Sequence, residues 1–270
     1  MSAAIEPVGA DERLPAWQAR VVDRSLGPAT DRAVQRGRAL VTAAGRLIRL
    51  SGGDDLTMKE VAAEAGLSLR VLYQHFEGKD DLLVALIEES QVVFARLIER
   101  QAATRQDPLE RLGAALYFAA DPRQHTDPGY NRALATFVAR TSISEPERLG
   151  RARLPVVEVI GRLISDAMSA GEVDPGDPEI AASSILLTYI SYELNNHLGS
   201  SVGAPLPTTE QFVAFCIRGL GARIPDGWER QFRLSDEEAA RSAVESVRLS
   251  GTEAGGGGST GRRSRRGERR

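Results

Sequence analysis

One cysteine, Cys216, serves a chain of 270 residues, and histidines number only three. A lone cysteine excludes a disulfide framework, and so few Cys and His leave no cluster with zinc-ligand spacing. Such cysteine usage points to a reducing compartment. His125 and His197 stand far apart, with no cysteines or paired carboxylates nearby, so solvated or core-edge histidines are expected there rather than metal ligands. Long apolar runs are missing as well. Segments such as 185–190 are far too short to cross a bilayer, and the first 17 residues carry Glu6, Asp11 and Glu12 with no apolar leader core. The expectation is a cytoplasmic protein without a membrane partner.

Enzyme signatures are also scarce. No Gly-x-Ser-x-Gly elbow sits between a strand and a helix, and there is neither a Gly-Lys-Ser/Thr phosphate loop nor a His-Glu-x-x-His pair. The run Gly255 to Gly258 lies in a low-complexity tail without the preceding strand that a dinucleotide cradle needs. No catalytic residue, cofactor or metal is expected.

Net charge is only −3, but it is unevenly placed. Residues 262–270 hold six Arg against Glu268, a net +5, so the rest of the chain carries −8. Any contact with nucleic acid must come from a focused patch or from this tail.

What is present is helical periodicity. From Asp31, apolar residues recur at three- and four-residue steps, and Ser51-Gly52-Gly53 ends that helix. Short helices follow near 57–65 and 68–76, and a long one starts near Lys79. Further helices are expected near 108–120, 129–143, 146–170, 178–197 and 208–221, with breaks at Asp-Pro pairs. No segment reads as a strand. The reading is all-α: an N-terminal three-helix helix-turn-helix domain, then a larger helical domain. Its expected parts are a mostly irregular extension (1–30) with room for one or two helical turns, the DNA-binding domain (31–78) and the second domain (79–224). A possible extra helix (225–250) and a disordered Arg-rich tail (251–270) complete the chain.

The informative stretch runs from Leu56 to Leu83. Thr57 and Glu60 form a capping box, with Leu56 and Val61 spaced as a hydrophobic staple. Ser68 can cap the next helix, and Gly66 supplies the positive φ of a sharp reversal. Two short capped helices on a tight Gly turn make either a helix-turn-helix or a plain helical hairpin. Arg70, Tyr73, Gln74, His75 and Lys79 favour the first, because Arg and Gln read base edges while Tyr, His and Lys commonly meet phosphate. A helical module whose helix-turn-helix serves protein contacts is the alternative.

Residues 36–87 resemble the DNA-binding domain of the tetracycline-repressor (TetR-like) family. The resemblance runs through Ala65-Gly66-Leu67-Ser68 and Leu72-Tyr73-Gln74-His75-Phe76 to Lys79. It implies a transcriptional regulator, most simply a repressor, with operator DNA, a small-molecule effector and a second copy of itself as partners. It also implies roles. Thr57 would contact phosphate, and Lys59 a base edge or phosphate. Ser68, Leu69, Arg70, Tyr73, Gln74 and His75 would form the recognition face, and Lys79 would hold a phosphate. Arg70-Val71 stands where the family often has Gly-Thr, and Met58 where it often has Thr.

Beyond that domain, Tyr117, Phe118, Tyr130, Asn131, Phe137, Tyr189, Tyr192, Glu193 and Asn196 mix apolar walls with polar tips, as a cavity for a mostly apolar ligand would. Each could equally pack the core. Helices 178–197 and 208–221 are apolar on so many sides that each needs more than one neighbour. In the family that the chain resembles, the last two helices of each subunit pair across a four-helix dimer interface. Residues 79–224 are therefore the expected ligand-binding and dimerisation domain, with Ile185 and Phe212 at the interface; a monomer core is the alternative.

Overall fold

Proline and short polar caps start the helices of this chain. The computed structural model describes residues 15–23, 29–53, 55–124, 128–198 and 205–249. Among them are eleven α-helices, two 3-10 turns and no strand. The helices are α1 (Ala16–Asp23), α2 (Ala29–Ser51), α3 (Met58–Glu64), α4 (Leu69–His75), α5 (Lys79–Ala102) and α6 (Pro108–Ala120). They continue as α7 (Pro128–Ser144), α8 (Pro146–Ser169), α9 (Pro178–Leu198), α10 (Thr209–Gly219) and α11 (Asp236–Leu249). Four of them open on proline, whose fixed φ and missing N–H cost nothing in the first turn. The fold is all-α, as the periodicity predicts. His125 and the Arg-rich tail lie outside the described residues.

The extension read as mostly irregular contains α1, and its role is larger than one or two turns suggest. Trp17 is fully buried in the core shared by α2, α3, α4 and the start of α5. Gly37 of α2 makes room for it, since a Cβ there would lie 2.5 Å from the indole Cζ3. The Trp17 amide donates to Glu88 Oε2 of α5 at 2.5 Å, and its indole Nε1 donates to Glu89 Oε2 at 3.1 Å. Arg20 pairs with Glu88 at 3.0 Å. Glu88 is only 2% exposed, and these donors satisfy a carboxylate that would otherwise be costly to bury. α1 therefore straps α2, α3 and α4 onto α5.

That core does not stop at residue 78. It takes in Leu82 to Ile87 of α5, Tyr130, Ala133 and Phe137 of α7, and Leu149 and Ala152 of α8. A second core joins the rest of α5 to α6, α8, α9 and α10.

Residues 225–249 are docked rather than loose. Trp228 and Phe232, in a 3-10 turn, press on Gly113 of α6, where a Cβ would meet them at 2.5 and 2.6 Å. Arg105 lies 5.6 Å over the Phe232 ring and donates to the Gln231 carbonyl at 3.1 Å. Ser235 and Glu238 then form a reciprocal cap that starts α11.

On α9, Ile185, Leu186 and Tyr192 turn into the subunit, and Phe212 of α10 stacks on Tyr192 at 4.8 Å. Ile185 and Phe212 thus belong to this chain's own core and not to an exposed interface, because the inward stripe of each helix carries them. The outward stripes expose Ile180 (66%), Leu187 (67%) and Phe215 (68%).

Candidate nucleic-acid interface and effector cavity

The turn between α3 and α4 is built as its sequence dictates. Thr57 Oγ1 accepts the Glu60 amide at 3.2 Å, while Glu60 Oε2 takes the Thr57 amide at 2.8 Å and its hydroxyl hydrogen at 2.7 Å. Glu60 is held below the usual carboxylate range by these bonds. Gly66 adopts a φ of 66°, the left-handed conformation that a tight reversal requires. Ser68 then caps α4, accepting the Val71 amide at 3.3 Å.

On α4 the periodicity sorts the side chains. Leu69, Arg70, Tyr73 and Gln74 are exposed on one face, with Ser68 beside them and Lys59 of α3 also in solvent. Leu72 and Phe76 are buried on the other. Lys79 is half-buried at the start of α5.

Two placements differ from the expected roles. His75 turns inward: its Nε2 lies 2.9 Å from the Ala33 carbonyl of α2 and its Nδ1 lies 3.1 Å from the Val71 carbonyl. Six residues after Leu69, it has rotated off the recognition face, so it positions α4 against α2. The Thr57 hydroxyl gives its hydrogen to Glu60, and none remains for phosphate while the capping box is closed. The start of α5 is braced by ions. Asp81 pairs closely with Arg148 of α8, and Asp80 lies 3.7 Å from Arg140 of α7.

Asn131, Tyr189 and Glu193 meet at a cavity of about 180 Å³ between α5, α7, α8 and α9, where Leu186 also lies. The Asn131 Nδ2 is buried without an acceptor. Burial, then the charge of Glu193, pushes the Tyr189 phenol well up, so it stays a donor. The other expected pocket residues lie elsewhere. Tyr130 and Phe137 fill the core of the DNA-binding helices, and Tyr192 packs on Phe212. Tyr117 donates to Glu210 of α10 at 3.1 Å, and Phe118 faces a separate cavity of about 330 Å³ beside α11. Asn196 is exposed. Each helix presents more than one apolar side, and composition alone does not say which side meets a cavity.

Arg153 of α8 lines the 180 Å³ cavity and was not singled out in the sequence. A signal was there: it sits on the stripe formed by Leu149, Ala152, Val156 and Ile160, where every other member is apolar and buried. Among the described residues no His/Cys/Asp/Glu group could hold a metal, and no helix is long and apolar enough to cross a membrane.

Residues 40–86 match the family described as bacterial regulatory proteins, tetR family. The HTH-type transcriptional regulator UidR of Escherichia coli (strain K12) is 25% identical over 157 residues, covering 57% of this chain and 76% of the relative. The HTH-type transcriptional activator FasR of Mycolicibacterium smegmatis is 32% identical over 96 residues, covering 36% of this chain and 43% of the relative. Among solved structures, RolR in complex with resorcinol is similar over 79% of this chain and 95% of its own, with a TM-score of 0.55 and 18% identity. A TetR-family regulator from Rhodococcus sp. is similar over 69% and 96%, with a TM-score of 0.53 and 19% identity.

Proposed function

We propose that this chain, whose residues 40–86 match the tetR family of bacterial regulatory proteins, is a cytoplasmic DNA-binding repressor released from its operator by a small molecule. It acts as a homodimer. Two copies of α4 enter successive major grooves of a palindromic site, with Leu69, Arg70 and Gln74 toward base edges and Lys59, Ser68, Tyr73 and Lys79 toward base edges or phosphates. The exposed Ile180, Leu187 and Phe215 support pairing through α9 and α10, since an apolar stripe of this kind is what a two-fold interface buries. The effector is mostly apolar and sits in the cavity lined by Asn131, Tyr189 and Glu193.

The two-faced character of α7 carries this reading. Asn131, Leu134 and Val138 line the cavity, Tyr130, Ala133 and Phe137 plug the core of the DNA-binding helices, and Leu134 and Val138 pack against that core as well. A ligand that shifts α7 must shift those helices too, because a close-packed core transmits displacement. Selection of duplexes from a random pool by the purified chain tests the DNA half. An enriched inverted repeat is expected; enrichment of no motif would point to a helix-turn-helix used for protein contacts instead.

A further inference from the structure

The cavity between α5, α7, α8 and α9 is lined by a cation, Arg153, that forms no ion pair among the described residues. Arg153 lines it from a half-buried position. Burial lowers its pKa, and no neighbouring carboxylate offsets that loss. Glu193 lies on the same cavity without forming an ion pair with it. Beside it, the buried Asn131 Nδ2 has no acceptor. A cation and an amide donor beside one partly open cavity are both costly to desolvate unless something supplies acceptors.

The remaining walls include Ile87, Leu134, Val138 and Ile190, all aliphatic. The volume of about 180 Å³ is close to that of an engineered cavity of about 150 Å³ that takes up benzene. The space therefore suits one ring or a short branched chain.

We propose that this cavity seats a compact monocarboxylate, its carboxylate on the Arg153 guanidinium and the Asn131 amide, its apolar body against α5 and α7. A carboxylate matches the planar fork of a guanidinium and takes both donors at once. The charge of Glu193 opposes any anion here and a doubly charged one most, which limits the ligand to one carboxylate. The proposal rests on reading the cavity as the effector site.

Calorimetric titration of the full-length, DNA-free protein tests it with shape-matched probes: benzoate and pivalate, neutral benzamide and pivalamide, and cationic benzylammonium. At least one carboxylate should bind about tenfold or more tighter than its amide and than benzylammonium. Arg153→Gln should erase that preference while leaving amide binding as it was, and Asn131→Leu should weaken it. Equal binding of acid and amide, preference for benzylammonium, or no saturable carboxylate binding at millimolar concentration would overturn the proposal. So would undiminished preference in both variants. The wild-type comparison needs no variant to fold. A carboxylate that binds here without altering DNA affinity would uphold this site and defeat only its reading as the effector switch.

Discussion

Tyr130 and Asn131 are neighbours in α7 and serve different compartments. The Tyr130 ring lies 4.4 Å beneath the Arg49 guanidinium of α2, in the core of the DNA-binding helices. Asn131 lines the cavity proposed for the effector. Leu134 and Val138 touch both, lining the cavity and packing against that core, so one helix joins the helix-turn-helix to the cavity proposed for the effector.

Reading and holding should separate on α4 and α5. Arg70→Ala should cost about 1–3 kcal/mol on selected operator, much less on scrambled duplex, and relax preference at one base pair per half-site. Lys79→Ala should weaken both duplexes alike and flatten the salt slope by about one. Fluorescence anisotropy at two salt concentrations distinguishes the two. Equal losses on both duplexes for Arg70→Ala would make it a phosphate clamp.

The strap formed by α1 should be sensitive to a single methyl group. Gly37→Ala places a Cβ where the Trp17 ring now sits, and overpacking of this kind costs about 1–3 kcal/mol. His75 lies 3.3 Å from the same point, so α4 should be displaced as well. Thermal melts and anisotropy should show lower stability and weaker DNA binding together. Unchanged melting would mean that α1 is not seated on α2.

The dimer is expected to part where the apolar side chains face outward. Leu187→Asp and Phe215→Asp should give folded monomers by light scattering and circular dichroism. Ile185→Asp should instead lower the melting temperature, because it buries a charge in one subunit's own core. Dimers persisting in both outward variants would retire this interface.

Acid should loosen the joint between α6, α10 and the C-terminal segment. Glu210 accepts from Arg233 at 2.5 Å, and chiefly for that reason its pKa falls to about 2. An unfolded glutamate titrates near about 4.3. A depressed folded value means that the stabilisation is complete above that pH and is lost as pH falls through about 2. Glu210→Gln should therefore flatten the melting temperature over this window, measured against wild type. Parallel curves would remove Glu210 from the acid response.

Much of this was legible in the residues. The caps at Thr57 and Ser68 and the turn at Gly66 are local chemistry, and the structure forms them where the spacing puts them. The outward face of α4 follows from periodicity too, but His75 leaves it because the Ala33 carbonyl, 42 residues away, waits on α2. Long-range partners of this kind leave no trace in a window of sequence. The cavity was half visible. Asn131, Tyr189 and Glu193 carry polar tips on apolar helices, whereas Tyr130 and Phe137 have the same character and pack a core. Only the relative rotation of α7 against α2 and α9 decides between them.

Occupying the cavity is expected to re-space the two recognition helices through α7. Ala135→Phe places a ring in the cavity without any ligand. The distance between the two α4 helices can be read from spin labels at Gln74→Cys, since Cys216 is buried, with its thiol pushed up to about 12 by that burial, and should not take the label. Pulsed electron resonance on the dimer, with and without Ala135→Phe, should show two different distance distributions. The filled form should also bind operator more weakly. Identical distributions in a folded, dimeric Ala135→Phe protein would mean that α7 does not couple the cavity to the recognition helices.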